Sequence, residues 1–347
     1  MSASENQTEF VVPTIDKLTI TVVVDSHFDG LAPDEKHPHL RVQRGRGKLM
    51  GQHGLSLHVE TARGEQLRRC LLDFGMTEDV LFPNLELLEI DLSALDALIL
   101  SHGHIDHFGG LPPLLRRYRE RMRKDLPIYI GGEDVFCHRW HLLAGGGRRS
   151  YGVLDRRELA GADLRVVMTE KPALVADHVF TTGTLPRTSF EKVIPNTYVE
   201  VGMRDGLGCC GVSLKGLFTQ VLQQDELAFD NHWGEHATVF NLKDRGLVVI
   251  TSCGHAGVIN SVRQAQAISG VDKVHAVIGG FHLSPADKDY VTEIVRHFKD
   301  EIGMDYIIPM HCTGAPFAHL VAREMPDKLV MSYVGSRFVF GADAEMT

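Results

Sequence analysis

The segment SHGHIDHFGG, Ser101 to Gly110, constrains this chain more than any other stretch. It places three histidines and one aspartate between His102 and His107, directly after the apolar run LDALIL, Leu95–Leu100. That run is predicted to be a buried strand that carries the histidines at its C-terminal end. His102 and His104 stand two apart, and in extended backbone such side chains point the same way, so their imidazoles can converge on one ion. Asp106 and His107 follow as the chain turns toward a helix, where they can face a second ion. Imidazole and carboxylate suit zinc first, with manganese or iron as alternatives.

One segment cannot complete two coordination spheres. Three further histidines follow predicted strands: His255 after Leu247–Thr251, His282 after Val274–Ile278 and His311 after Tyr306–Met310. Ligands gather at the carboxyl ends of strands in open α/β sheets, so these strand ends are expected to share a site with the histidine cluster.

Strands are also predicted at Leu18–Asp25, Leu55–Thr61, Cys70–Asp73, Pro127–Ile130, Arg165–Met168, His178–Thr182, Tyr198–Val201, Ala237–Leu242, Leu329–Val334 and Arg337–Phe340. Helices are predicted at Glu78–Leu88, Pro112–Lys124, Glu133–Leu143, Ala256–Ile268, Tyr290–Ile302 and Phe317–Glu324. The alternation implies an α/β class. Many early strands lack intervening helices, so two packed sheets with helices outside fit better than one doubly wound sheet. No linker divides residues 1–347, and a single domain is expected.

The net charge is −9 with scattered lysine and arginine, which argues against nucleic acid as a partner. No apolar stretch approaches the ~20 residues of a membrane span. MSASENQTEF has no basic segment leading into an apolar run, so no signal peptide is expected. Six cysteines in a chain this long do not make a disulfide framework, and a reducing, cytoplasmic setting is the default. Homo-oligomerisation is left open. HWGEH, His232–His236, matches a helical zinc motif in spacing only, because Gly234 and the strand-like ATVFNL beyond it break the helix; the segment is expected at most to wall a pocket. No G-x-S-x-G is present, so a serine hydrolase has no nucleophile elbow.

HGHIDH resembles the metal signature of the metallo-β-lactamase superfamily, and LLDFG (Leu71–Gly75) is similar to its first motif. The resemblance extends to the dihydropterin-ribofuranosyl-aminobenzene phosphate synthase-like branch through HGLS (His53–Ser56), TTGTLPR (Thr181–Arg187), SCGHAG (Ser252–Gly257), GGFHL (Gly279–Leu283) and HCTG (His311–Gly314). It covers roughly Leu18 to Phe340; Gln52 departs from the branch, and residues around 203–236 form an expected insertion. The resemblance implies a four-layer αββα sandwich. It implies a first ion on His102, His104 and His255, a second on Asp106, His107 and His311, and Asp73 orienting a ligating histidine. The bridging carboxylate usual in the superfamily is missing, its place reading Ser252-Cys253-Gly254. Cys253 is either a soft ligand or a small buried residue.

Two metal ions can lower the proton affinity of a shared hydroxide and polarise a phosphoryl or carbonyl oxygen. The expected function is therefore a metal-dependent hydrolase of a phosphoester or phosphodiester, with a small phosphorylated molecule as substrate. Asp106 would orient the attacking hydroxide. His282 would donate to a substrate oxygen or support a ligand. Arg187 would clamp phosphate through its planar guanidinium. The alternatives are a pterin-transferring synthase, a lactone or β-lactam hydrolase, and a metal-binding protein without turnover.

Overall fold

Lys17–Val24, rich in β-branched residues, pairs antiparallel with Ser56–Arg63 and starts the larger of two main sheets. The computed structural model describes residues 10–194, 196–210 and 227–341. The larger sheet has nine strands, in the spatial order Arg165–Met168, Pro127–Ile130, Ala97–Leu100, Gln66–Leu72, Ser56–Arg63, Lys17–Val24, Arg337–Gly341, Leu40–Gln43 and Glu35–His37. The second sheet runs Ala173–Val175, Val179–Thr181, Thr238–Leu242, Gly246–Thr251, Val274–Gly279 and Tyr306–Pro309, with Thr14–Ile15 added beside Thr238–Leu242.

Side-chain alternation stacks these sheets between helices. Ile20, Leu57, Leu72 and Ile99 of the first sheet meet Phe240, Ile250, Ile278 and Ile308 of the second in one shared core. Their chain neighbours Leu71 and Leu98 point the other way, onto Leu81 and Leu85 of helix Glu78–Leu87 and Leu111 and Leu114 of helix Leu111–Tyr118. On the opposite outer face, Val249, Val277 and Ile307 cover helices Val258–Ser269, Lys288–His297 and Ala315–Glu324. The layers are therefore helix, sheet, sheet, helix, the expected αββα order. Each fully buried aliphatic side chain in these cores contributes ~1.5–3 kcal/mol.

In both sheets the strands nearest the histidines run parallel. Gln66–Leu72, Ala97–Leu100 and Pro127–Ile130 are parallel neighbours, as are Gly246–Thr251, Val274–Gly279 and Tyr306–Pro309. Parallel strands end on the same edge, so their following loops gather in one place.

Several expectations are corrected. Glu133–Leu143 is not a helix. It is a short 3-10 turn, Glu133–Phe136, followed by strand His138–Leu142. That strand pairs with Arg148–Ser150 across the glycine loop and with Tyr198–Glu200, forming a small third sheet completed by Leu227–Phe229. The helix expected over Pro112–Lys124 ends at Tyr118 and tightens into a 3-10 turn, Arg119–Arg121. Leu329–Val334 forms no strand, only a bridge from Leu329 to Ile307. Of the expected insertion, residues 211–226 lie outside the described residues. The described remainder includes the two-stranded pairing of Met203–Arg204 with Leu207–Gly208 and the run Asp230–His236. A disulfide joins Cys137 to Cys209, a single bridge where the reducing setting led to none. Among the described residues, no helix is long and apolar enough to cross a membrane.

Candidate metal centre

Strand Ala97–Leu100 ends at Ser101, and the chain turns through His102, Gly103 and His104 into the single-turn helix Ile105–Phe108. Gly103 is required here. A Cβ on it would lie 2.3 Å from Arg139 Nη1 and 2.4 Å from the Val135 carbonyl oxygen. His102, His104, Asp106 and His107 are all buried.

Asp73, at the end of the neighbouring strand, organises this turn. Its carboxylate accepts the Ser101 backbone N–H and the Ser101 hydroxyl, each at 2.8 Å, and His107 Nδ1–H at 2.7 Å. Ser101 Oγ in turn lies 2.9 Å from His102 Nδ1. Both rings are thus held by Nδ1, leaving Nε2 inward. His102 Nε2 is buried without a partner, as are both ring nitrogens of His255. His104 is held from the opposite side, with Nε2 2.9 Å from Thr197 Oγ1. Ligand atoms of His102, His104 and His255 lie within 4.8 Å of one another.

A second set of donors adjoins the first. Asp106 Oδ2 is 3.2 Å from His311 Nε2 and 3.7 Å from His107 Nε2, and those two nitrogens are 3.2 Å apart. Tyr151 donates its hydroxyl proton to the other oxygen, Asp106 Oδ1, at 3.1 Å. Cys253 places its sulfur between the sets: it clusters with His102 and His107, with His255 and His282, and with His311 and Cys312. Its Sγ is 3.1 Å from Cys312 Sγ and 3.5 Å from His282 Nδ1. His282 also packs tilted against His255, ring centroids 4.1 Å apart, with Nε2 unpartnered.

Backbone strain concentrates at these positions. Asp73, His232, His282 and His311 have φ of 56, 50, 48 and 50°, the left-handed region that residues other than glycine seldom adopt. Such conformations cost on the order of 1–3 kcal/mol each and persist where surrounding structure imposes them.

The electrostatics favour neutral imidazoles in the first donor set and a charged carboxylate in the second, where Cys312 and Asp106 outweigh burial and raise His311 well above the ordinary histidine range. Burial, then the adjoining rings, hold His102 and His255 well below the ordinary histidine range. Burial lowers His104 to about 4. Burial alone would raise Asp106, but His107, His311 and His104 outweigh it and keep its carboxyl well below the usual range. Neutral imidazole and ionised carboxylate are the forms that bind metal. The unpartnered inward nitrogens and this donor chemistry fit divalent cations.

Sequence reasoning missed several participants. The third sheet and the run after it bring Thr197, Asp230 and His232 behind His104. Thr197 donates to Asp230 Oδ2 at 2.9 Å, and the same oxygen accepts Arg139 Nε–H at 2.8 Å. His232 lies parallel on His255 at 3.8 Å, so HWGEH does reach the site, without a helix. Glu235 accepts the backbone N–H groups of His255 and Ala256 at 3.0 and 2.6 Å, fixing that turn. Arg187 stands apart from the two donor sets, bonded through Nη2 to the Asn231 carbonyl and packed 5.0 Å from the Trp233 ring centroid; its Nε and Nη1 are unpartnered.

A layered αββα sandwich with an H-x-H-x-D-H turn at the strand ends defines a metallo-β-lactamase fold. The metallo-beta-lactamase superfamily profile matches residues 62–129. The chain is similar to the 7,8-dihydropterin-6-methyl-4-(β-D-ribofuranosyl)-aminobenzene-5'-phosphate synthase of Methanocaldococcus jannaschii, 27% identical over 83% of this chain and 90% of that protein. An uncharacterized protein of the same organism is 27% identical over 83% of this chain and 93% of its own length. The crystal structure of Tm1679, a metal-dependent hydrolase of the β-lactamase superfamily, superposes with a TM-score of 0.66 at 22% identity, covering 92% of this chain and 98% of that one. Metallo-β-lactamase-fold proteins bind divalent metals, and this chain's clustered donors could hold them.

Proposed function

We propose that this protein is a metal-dependent hydrolase of phosphoesters or phosphodiesters. His102, His104 and His255 would hold one divalent cation, and Asp106, His107 and His311 the other. The observation that carries the reading is the pair of adjoining donor sets, with His102 Nε2 and both ring nitrogens of His255 buried and unpartnered in the first. Zinc suits the donors best, with manganese or iron as alternatives. When bound, paired cations supply acidified water and charge stabilisation on a phosphoryl oxygen.

The chain's own residues do the rest. Asp106, held by Tyr151 through Oδ1, keeps a fixed carboxylate at the centre of the second set. His282 offers Nε2 toward a substrate oxygen. Arg187, with two unpaired nitrogens, is the candidate phosphate clamp. The proposed partner is a small phosphorylated molecule. The cytoplasmic setting is also a proposal, and the Cys137–Cys209 bridge argues against it, since disulfides are rare in reducing compartments.

The test is a phosphoester and phosphodiester panel run with measured metal content. Turnover that disappears with chelator and returns with zinc or manganese is expected. A fully metal-loaded chain that turns over none of the panel would overturn the reading. The synthase relative favours a second reading, pterin transfer to an aminobenzene riboside, in which an arylamine or aryl carbon replaces water as nucleophile. Supplying both substrates and assaying the joined product distinguishes the two.

A further inference from the structure

The place where the resemblance implies a bridging carboxylate reads Ser252-Cys253-Gly254, and the fold brings another side chain to the second donor set. We infer that His53, in the loop before strand Ser56–Arg63, is the fourth protein ligand of the second cation. The inference rests on the two-cation reading above.

The spacing supports it. A tetrahedral zinc ion with bonds of ~2.0–2.1 Å sets its donor atoms ~3.3 Å apart. Asp106 Oδ2, His107 Nε2 and His311 Nε2 already stand 3.2 to 3.7 Å from one another. His53 Nε2 lies 3.3 Å from Asp106 Oδ2, and its ring centroid is 4.6 Å from that of His311. Donor atoms of His53, Asp106 and His311 all fall within 4.8 Å of one another. Three buried donors thus form one face of a tetrahedron, and His53 approaches from the solvent side.

Its position is built, although its side chain is 57% exposed. Gly54 fits between the two ligand segments at φ +136°, where a Cβ would come 2.5 Å from the Asp106 carbonyl oxygen. The Leu55 N–H donates to that same carbonyl at 3.3 Å, and the Gly54 nitrogen sits 3.2 Å from His311 Nδ1. On the other side, the Gln52 N–H donates to the Asp25 carbonyl at 3.0 Å, while Asp25 Oδ1 accepts the His311 N–H at 2.8 Å. The His53 loop and the His311 loop therefore hang from one residue. Nothing in the packing of the core needs a histidine at this exposed position.

The test compares the full-length wild type with His53→Ala and Cys253→Ser, each titrated with zinc and then measured by X-ray absorption in the dizinc state. Cobalt substitution reports any thiolate ligand through its charge-transfer band. Wild type is expected to take up two zinc ions. His53→Ala should keep the first affinity, bind the second ion at least about tenfold more weakly, and show one imidazole fewer per two zinc ions. Unfolding of its metal-free form should match wild type. Unchanged second affinity and imidazole count in His53→Ala would overturn the inference and leave the two-cation reading standing. So would a thiolate band that Cys253→Ser abolishes and His53→Ala does not alter, because the sulfur would then hold the fourth position. Failure of wild type to bind a second ion would overturn both.

Discussion

Asp73 shows how far one buried carboxylate can organise a site. With three donors converging on it from Ser101 and His107, it acts through the histidines. Asp73→Asn replaces an acceptor with an amide that cannot accept all three. Cation affinity is expected to fall about 10–100-fold, most strongly at the second ion, as when partners that orient metal ligands are lost. Competition titration with a chromophoric chelator measures this, and unchanged affinity would remove Asp73 from the account. Arg139 is fully buried against Asp230, with Asp134 3.8 Å away. Arg139→Met leaves these carboxylates uncompensated and should cost roughly 3–5 kcal/mol of folding stability, read from urea unfolding. The proposed cation ligands were legible as candidates because four of them sit in one short segment and the other two end apolar runs. Thr197, Asp230 and His232 were not, since only the pairing of distant strands brings them near His104.

At the scale of elements, most strands read from the sequence fell within a residue or two, the one read from Cys70 starts at Gln66, and Glu133–Leu143 was misread. Its partners, Tyr198–Glu200 and Arg148–Ser150, make HRWHL a strand, and such tertiary pairing overrides weak local preference. Leu329–Val334 failed for the opposite reason: its apolar residues pack singly, without a ladder. Strand Ser56–Arg63 carries its own pH dependence. His58 is buried with both ring nitrogens unpartnered, and burial pushes it down to about 4. A histidine depressed in the folded state contributes stability that is present above about 6.5 and lost as pH falls through about 4, roughly 3 kcal/mol at most. His58→Leu should therefore lose less stability than wild type between those pH values. Parallel slopes in chemical unfolding across that window would contradict this.

At the scale of the molecule, each cation would join the two sheets. His102 and His104 follow a strand of the first sheet and His255 one of the second; Asp106 and His107 pair in the same way with His311. Binding would then be coupled to folding, adding ~4 kcal/mol when free metal is a thousandfold above its dissociation constant. Chelation should lower the unfolding temperature of the wild type, and calorimetry with and without chelator reads the difference. The layer order was legible from strands and helices alternating with apolar runs, whereas the third sheet that closes over His104 was not. The most direct test is the metal content of wild type and a His102→Ala/His107→Ala double variant, both reconstituted with zinc and freed of excess. The account requires two ions per wild-type chain and a clear loss in the variant; equal stoichiometry in the two would contradict it.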